Sequence, residues 1–304
     1  MFDTNESVNQ LLNYSKLLLD QMNDGKNFCG RFKEMQYLTF AGMLAYYGFD
    51  AIDEIYGVFN KTRFTYSNEP MEDILVSNGF STDTILPNDG KNKVPANFNR
   101  RLLMDMSGRR FLEDYIFVST NYDLEPIELL EVFVHECNHN VNSVNREIFS
   151  KNDRDFIRFG LNVRGLLDSY DDGSLLEECI NVLQTAEIVN EILKFTKFDI
   201  EDPIIANAIN NIKYAGDTKR KGLGYEFIVP FIKPLYDNSN FNRVVKEARM
   251  SGDIDKIDWE FDRKAGENKF YELKQVTDET LKNPYFLSQS HAKVKTLVYS
   301  YLNN

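Results

Sequence analysis

The stretch Tyr115-Ile116-Phe117-Val118-Ser119-Thr120, followed by Val132-Phe133-Val134-His135-Glu136-Cys137-Asn138-His139, decides how this chain is read. The first run is β-branched and aromatic, is bounded downstream by Asn121 and Asp123, and predicts a strand. A helix is predicted next. Asp123 is placed to cap it, Pro126 falls in a first turn where its missing N–H costs little, and Glu125 and Glu128 suit the positive end of the helix dipole. That helix should run to about Ser143, with Val132, Phe133 and Val134 placing it in a core.

On such a helix His135 and His139 are four residues apart and share one face, so both imidazoles can point at one ion. Only three histidines exist in the chain, and two of them fall in this H-E-x-x-H pattern. Zinc takes imidazole nitrogen readily and, at a catalytic site, has three protein ligands and lowers the pKa of a water to about 7. Glu136, about 100° around the helix, can reach that water as general base without filling a coordination position.

A third ligand must come from elsewhere. No further histidine is close by, so a carboxylate is required. The turn Asp171-Asp172-Gly173 precedes Ser174-Leu175-Leu176-Glu177, a capping-box pattern in which Glu177 reaches back to the cap N–H and a helix runs from Leu175 to about Lys194. That helix offers Glu177, Glu178, Glu187 and Glu191. Capping assigns Glu177 to the helix start, and Glu187 lies on the face opposite Glu178. Glu178 shares its face with Asn181, Val182 and Thr185, a partly polar stripe of the kind that supports a ligand from behind. His135, His139 and Glu178 are therefore the candidate metal ligands.

Outward from these helices, residues 1 to about 64 carry apolar and aromatic side chains at helical spacing, and residues beyond Pro203 return to helical texture. Between Thr65 and Arg101 lie Asn68-Glu69-Pro70, Leu86-Pro87-Asn88-Asp89-Gly90 and Val94-Pro95, which predict a linker or surface excursion. Arg158 to Leu167, with Gly160 and Gly165, predicts strand and turn. The expected organisation is a mainly helical region over 1–110 and a second region over 111–304 that carries the site. The fold class expected is α+β, with a small sheet packed on the H-E-x-x-H helix and largely helical N- and C-terminal regions.

Composition narrows the function. The 304 residues are 42% hydrophobic and 13% aromatic, enough for a substantial core. Thirty-five basic against 47 acidic residues leave a net charge of −12, which argues against nucleic acid as a partner. The longest apolar stretch, near Phe40 to Phe49, is too short to span a bilayer, the N-terminus does not read as a secretory signal, and a cytoplasmic location without membrane association is expected. Cys29, Cys137 and Cys179 have no Cys-x-x-Cys spacing and suit a reducing compartment; Cys137 and Cys179 read as small core residues. Neither Asp168 to Asp172 nor Gly216 to Gly222 completes a calcium or phosphate loop, and Lys219-Arg220-Lys221 reads as solvated.

Strand, H-E-x-x-H helix, glycine-containing segment and a second helix with a glutamate together resemble the zincin fold of metallopeptidases, specifically its gluzincin branch. The resemblance covers about Tyr115 to Leu193. Where many such families carry Asn-Glu-Gly-x-Thr-Glu, this chain has Glu177-Glu178-Cys179-Ile180-Asn181-Val182, so Glu178 matches while Cys179 and Asn181 depart from the pattern. The resemblance implies a zinc-dependent hydrolase acting on a peptide or protein substrate, with Glu136 as general base. It further implies a tyrosine that hydrogen-bonds the oxyanion, a position matched by Tyr225, with Tyr214 and His291 as alternatives. His291 otherwise reads as an exposed histidine. The competing expectation is a non-catalytic zinc-binding scaffold acting in protein interaction; retention of Glu136 disfavours it.

Overall fold

The computed structural model describes residues 4–22, 30–82, 95–107, 110–143, 149–151, 154–165, 171–194, 227–282 and 287–304. As expected, the N-terminal part is helical: α1 (Thr4–Met22), α2 (Gly30–Tyr47) and, after a single 3-10 turn, α3 (Ile52–Lys61). In α3, Asp53 and Glu54 sit in the first turn and Lys61 in the last, matching the dipole, while Ile55, Val58 and Phe59 form the buried stripe.

Of the stretch expected to be a linker or surface excursion, residues 83–94, with Leu86-Pro87-Asn88-Asp89-Gly90 and Val94, lie outside the described residues, and the described part is regular. It contains β1 (Arg63–Ser67), α4 (Met71–Ser77) and the start of β2 (Ala96–Met104), with β3 (Arg110–Ser119) following. The turn residues of Asn68-Glu69-Pro70 join two regular elements and do not mark a long excursion. These strands form a sheet in the order β1-β3-β2. β1 runs parallel to β3, Arg63 opposite Tyr115 through Ser67 opposite Ser119. Met71, Ile74 and Leu75 of α4 pack on Tyr115 and Phe117 of β3.

Helix α5 (Pro126–Val141) carries the H-E-x-x-H residues. Its start differs from the expectation in one respect: the Glu128 carboxylate accepts the Glu125 N–H at 3.0 Å, so the end is closed at Glu125 ahead of Pro126 and not at Asp123. Beyond it, β4 (Phe149–Lys151), β5 (Arg154–Phe159), β6 (Asn162–Gly165) and β7 (Asp171–Asp172) form an antiparallel ladder in chain order. The strand and turn expected near Gly160 are present, and Gly160 takes a positive φ of 58° at the β5–β6 turn. Asp171 and Asp172, expected as a turn, pair with β6, and the turn falls on Gly173 at φ 79°.

Helix α6 (Ser174–Lys194) follows, and then α7 (Val229–Tyr236), α8 (Ser239–Ser251), α9 (Asp255–Ala265), α10 (Lys269–Lys282) and α11 (Leu287–Leu302). The expected capping box does not form. Asp278 of α10 accepts the N–H groups of Gly173 and Leu175 at 2.7 and 2.9 Å, closing the start of α6 and leaving Glu177 free for other partners.

By their contacts the described residues fall into two compact units that interleave along the chain. One unit draws on Met1–Leu102, Glu113–Cys137 and Thr185–Gly222. Its core is an aromatic cluster in which Phe32 meets Phe133 edge-on at 5.5 Å and Phe64 lies 6.0 Å from Phe133. The other draws on Leu103–Leu112, Asn138–Gln184 and Leu223–Asn304. Its core joins Leu176, Ile180 and Leu183 of α6 to Ile232, Phe241, Phe261, Leu273 and Tyr301 of the C-terminal helices. The fold is α+β and mostly helical. Among the described residues no helix is long and apolar enough to cross a membrane.

Candidate metal centre

On α5, His135 and His139 stand one turn apart, both buried, and Glu178 on α6 is partly exposed. One potential ligand atom from each of the three lies within 4.8 Å of the other two. Within the group, His139 Nε2 and Glu178 Oε2 are 3.2 Å apart. Two atoms each roughly 2.0–2.1 Å from a tetrahedral zinc ion are about 3.3 Å from one another, so this pair already has the spacing of one edge of a zinc tetrahedron. Two imidazoles and a carboxylate are also the donor set that suits zinc at a catalytic site. The residues present fit the ion.

The remaining nitrogen of His139 is engaged from behind. Its Nδ1 stands 3.4 Å from Oε1 of Glu177, a fully buried side chain. Burial alone would push the His139 imidazole down, but the charges of Glu178 and Glu177 and the hydrogen bonds to both outweigh it and raise the pKa to about 10. That shift favours the protonated imidazole between the two carboxylates, and a metal ion taking Nε2 would have to displace the proton. Glu177 behaves in the opposite sense. Burial raises its carboxyl, yet Arg249, His139 and the Leu161 N–H together bring it below the usual carboxylate range.

Behind the histidines the α5 and α6 faces are joined by amides. Asn138 Nδ2 donates to Asn181 Oδ1 at 2.6 Å and to Gln184 Oε1 at 3.2 Å, and Asn142 Nδ2 donates to Gln184 Oε1 at 3.3 Å. Asn181 and Thr185, expected to share the Glu178 face as polar support, are both fully buried. Ser143 Oγ donates to the His139 carbonyl at 2.7 Å, satisfying an acceptor in the last turn of α5.

Glu136 is half-buried, and its Oε2 accepts the Phe98 N–H of β2 at 2.7 Å. Cys137 and Cys179 are buried free thiols, as expected, and burial pushes both well above their ordinary pKa. His291 departs from the expectation of an exposed residue: it is half-buried and stacks on Phe231 at 4.3 Å, because α7 and α11 pack side by side. Burial lowers its pKa. Glu187 is half-buried outside the three-residue group, and Glu191 pairs with Lys194 at 2.5 Å. Tyr225, Tyr214, Cys29, Lys219 to Lys221 and Gly216 to Gly222 lie outside the described residues.

The sequence reading assigned Glu177 to capping and did not single out Arg249, Gln184, Phe98, Asn138, Asn142 or Ser143. One signal was present for the amides, since Asn138, Asn140, Asn142 and Ser143 place a polar run at the end of a helix that begins apolar. No protein-family model matches the chain, and neither does any curated protein or solved structure.

Proposed function

We propose that the chain is a zinc-dependent hydrolase of the zincin type, gluzincin branch, acting on peptide bonds, with His135, His139 and Glu178 as the metal ligands and Glu136 as general base. The observation that carries the reading is the convergence of the two histidines of one helix with Glu178 of another, the carboxylate expected from the sequence. Zinc held there supplies a Lewis acid that acidifies water and polarises a carbonyl. Glu136 accepts the proton of the attacking water and delivers it to the leaving amine, while the Phe98 N–H fixes the direction of its carboxylate. Glu177 and the amide set of Asn138, Asn181 and Gln184 hold the histidine helix in register. Tyr225 is the proposed donor to the oxyanion.

The bond from Phe98 N–H to Glu136 also favours a second reading, a zinc-binding scaffold in which Glu136 serves only to tie α5 to β2. The two separate on one variant. Native protein should carry about one zinc per chain, lost in Glu178→Ala. Glu136→Gln should keep the zinc and lose turnover of a peptide panel by 10²-fold or more, the range of general-base catalysis. Retained zinc without turnover in the native protein supports the scaffold, and absence of zinc after titration overturns both.

A further inference from the structure

We infer that the buried pair Glu177–Arg249 is a positioning device for His139, through which the C-terminal helices build the metal centre from behind. The inference rests on the zinc reading above and adds residues that no ligand pattern names.

Glu177 is held on every side. Its Oε1 meets Arg249 Nη2 and faces His139 Nδ1 at 3.4 Å, and its Oε2 accepts the Leu161 N–H at 2.8 Å. The β5–β6 turn is shaped around it: a Cβ at Gly160 would run into the Glu177 carboxylate, and the positive φ there independently favours glycine. Arg249 has no exposed side-chain surface, and its Nη1 donates to Gln184 Oε1, the same oxygen that accepts from Asn138 and Asn142. One guanidinium on α8 therefore fixes both the acid behind His139 and the amides that bracket it on α5.

The chemistry explains why an acid and a guanidinium stand where a neutral amide could have served as acceptor. A carboxylate facing the distal nitrogen of a metal-ligating imidazole sets its tautomer, fixes the ring and makes the other nitrogen a better donor. Burying that carboxylate alone would be too costly, and the charge of Arg249, which meets it through Nη2, makes it tolerable. With Nδ1 committed to Glu177, Nε2 is turned to Glu178, 3.2 Å away. Arg249 is thus a positioning residue acting through Glu177.

The test compares full-length wild type, Glu177→Gln and Glu177→Gln/Arg249→Met for zinc affinity against a competing chelator, and for the visible spectrum of the cobalt-loaded protein at saturation. The double variant removes both charges together, so neither is left buried alone. Both variants should bind zinc about 10–100-fold more weakly, the usual effect of removing such a partner, and both should shift the cobalt bands because the ligand geometry has relaxed. Folded variants with wild-type affinity and spectrum overturn the inference. So do variants with weaker binding but an unchanged spectrum at saturation, and variants that both fail to fold, since either result makes the pair purely structural. Wild type that takes up no zinc overturns instead the metal reading on which the inference stands.

Discussion

From Leu129 to Val134, with Glu131 the one polar residue, α5 is buried mainly by hydrocarbon, with Leu130, Phe133 and Val134 almost wholly inside and Phe133 clasped edge-on by Phe32. From Asn138 to Ser143 the same helix is equally buried, but by amides and a hydroxyl bonded to one another and to the backbone. His135 and His139 stand where one regime gives way to the other. The difference teaches how a helix can present two imidazoles. Apolar contacts are non-directional and fix where the helix lies, whereas hydrogen bonds fail beyond a few tenths of an ångström and fix how it is rotated.

The contrast is broken most forcefully in the apolar half. Phe133→Ala removes a fully buried ring and should lower stability by about 3–5 kcal/mol, the range for aromatic truncation in a core. Urea unfolding checks it, and a loss below about 1 kcal/mol would mean that the Phe32–Phe133–Phe64 cluster does not anchor the helix. In the polar half, Asn138→Ala removes its buried bonds to Asn181 Oδ1 and Gln184 Oε1 and should cost about 1–3 kcal/mol. The sharper form is a cycle. Asn138→Ala with Asn181→Ala should cost less than the sum of the single variants, because the bond the two share is lost only once.

The two halves differ also in how much of them could be read from residues alone. The strand Tyr115–Ser119, the helix with its Pro126 start and the apolar half of α5 follow from side-chain type and period, because burial by hydrocarbon leaves a hydrophobic mark in sequence. The histidine spacing was legible as residue types at helical period, and the structure brings Glu178, chosen for its polar stripe, within 4.8 Å of both histidines. Burial by polar groups leaves no such mark. Arg249 lies in Val244-Val245-Lys246-Glu247-Ala248-Arg249, where neighbouring charges give no sign that it is buried, and arginine is rarely fully buried unless paired. Glu177 sat in a pattern that local capping explained equally well, and only the distant Asp278 displaces it from that role. β2 was obscured similarly. Its Asn97-Phe98-Asn99-Arg100-Arg101 looks like loop, but Arg100 is fully buried against Asp114 of β3 at 2.6 and 3.1 Å, so the charge that disguises the strand is neutralised across the sheet.

A third prediction tests the polar half by pH, through His139. In metal-free protein His139 is raised from an ordinary value near 6.5 to about 10. Between those values the folded state holds one more proton than the unfolded chain, so the contribution is fully present below about 6.5 and declines as pH rises through about 10. The slope is about 1.4 kcal/mol per pH unit for a single proton. Unfolding midpoints measured in chelator from pH 6.5 to 9.5 should fall, and His139→Gln should flatten that fall. A Phe133→Ala protein should keep the slope while losing height. An unchanged slope in His139→Gln would assign the titration elsewhere and remove the proton from between Glu177 and Glu178.

The smallest effect expected is at the end of the polar half. Ser143 Oγ donates to the His139 carbonyl at 2.7 Å, and Ser143→Ala should cost about 0.5–1.5 kcal/mol, the net value of one such bond. Its interest is where the loss is felt. If directional bonds set the rotation of the second half of α5, then loosening its last turn should weaken zinc binding out of proportion to the stability lost, because the same turn carries His139. An apolar truncation of equal stability cost in the first half, such as Val132→Ala, should not, since Val132 contributes only burial. Equal losses of zinc affinity in the two variants would show that the helix moves as one rigid rod, and that the change of regime along it has no part in aiming the imidazoles.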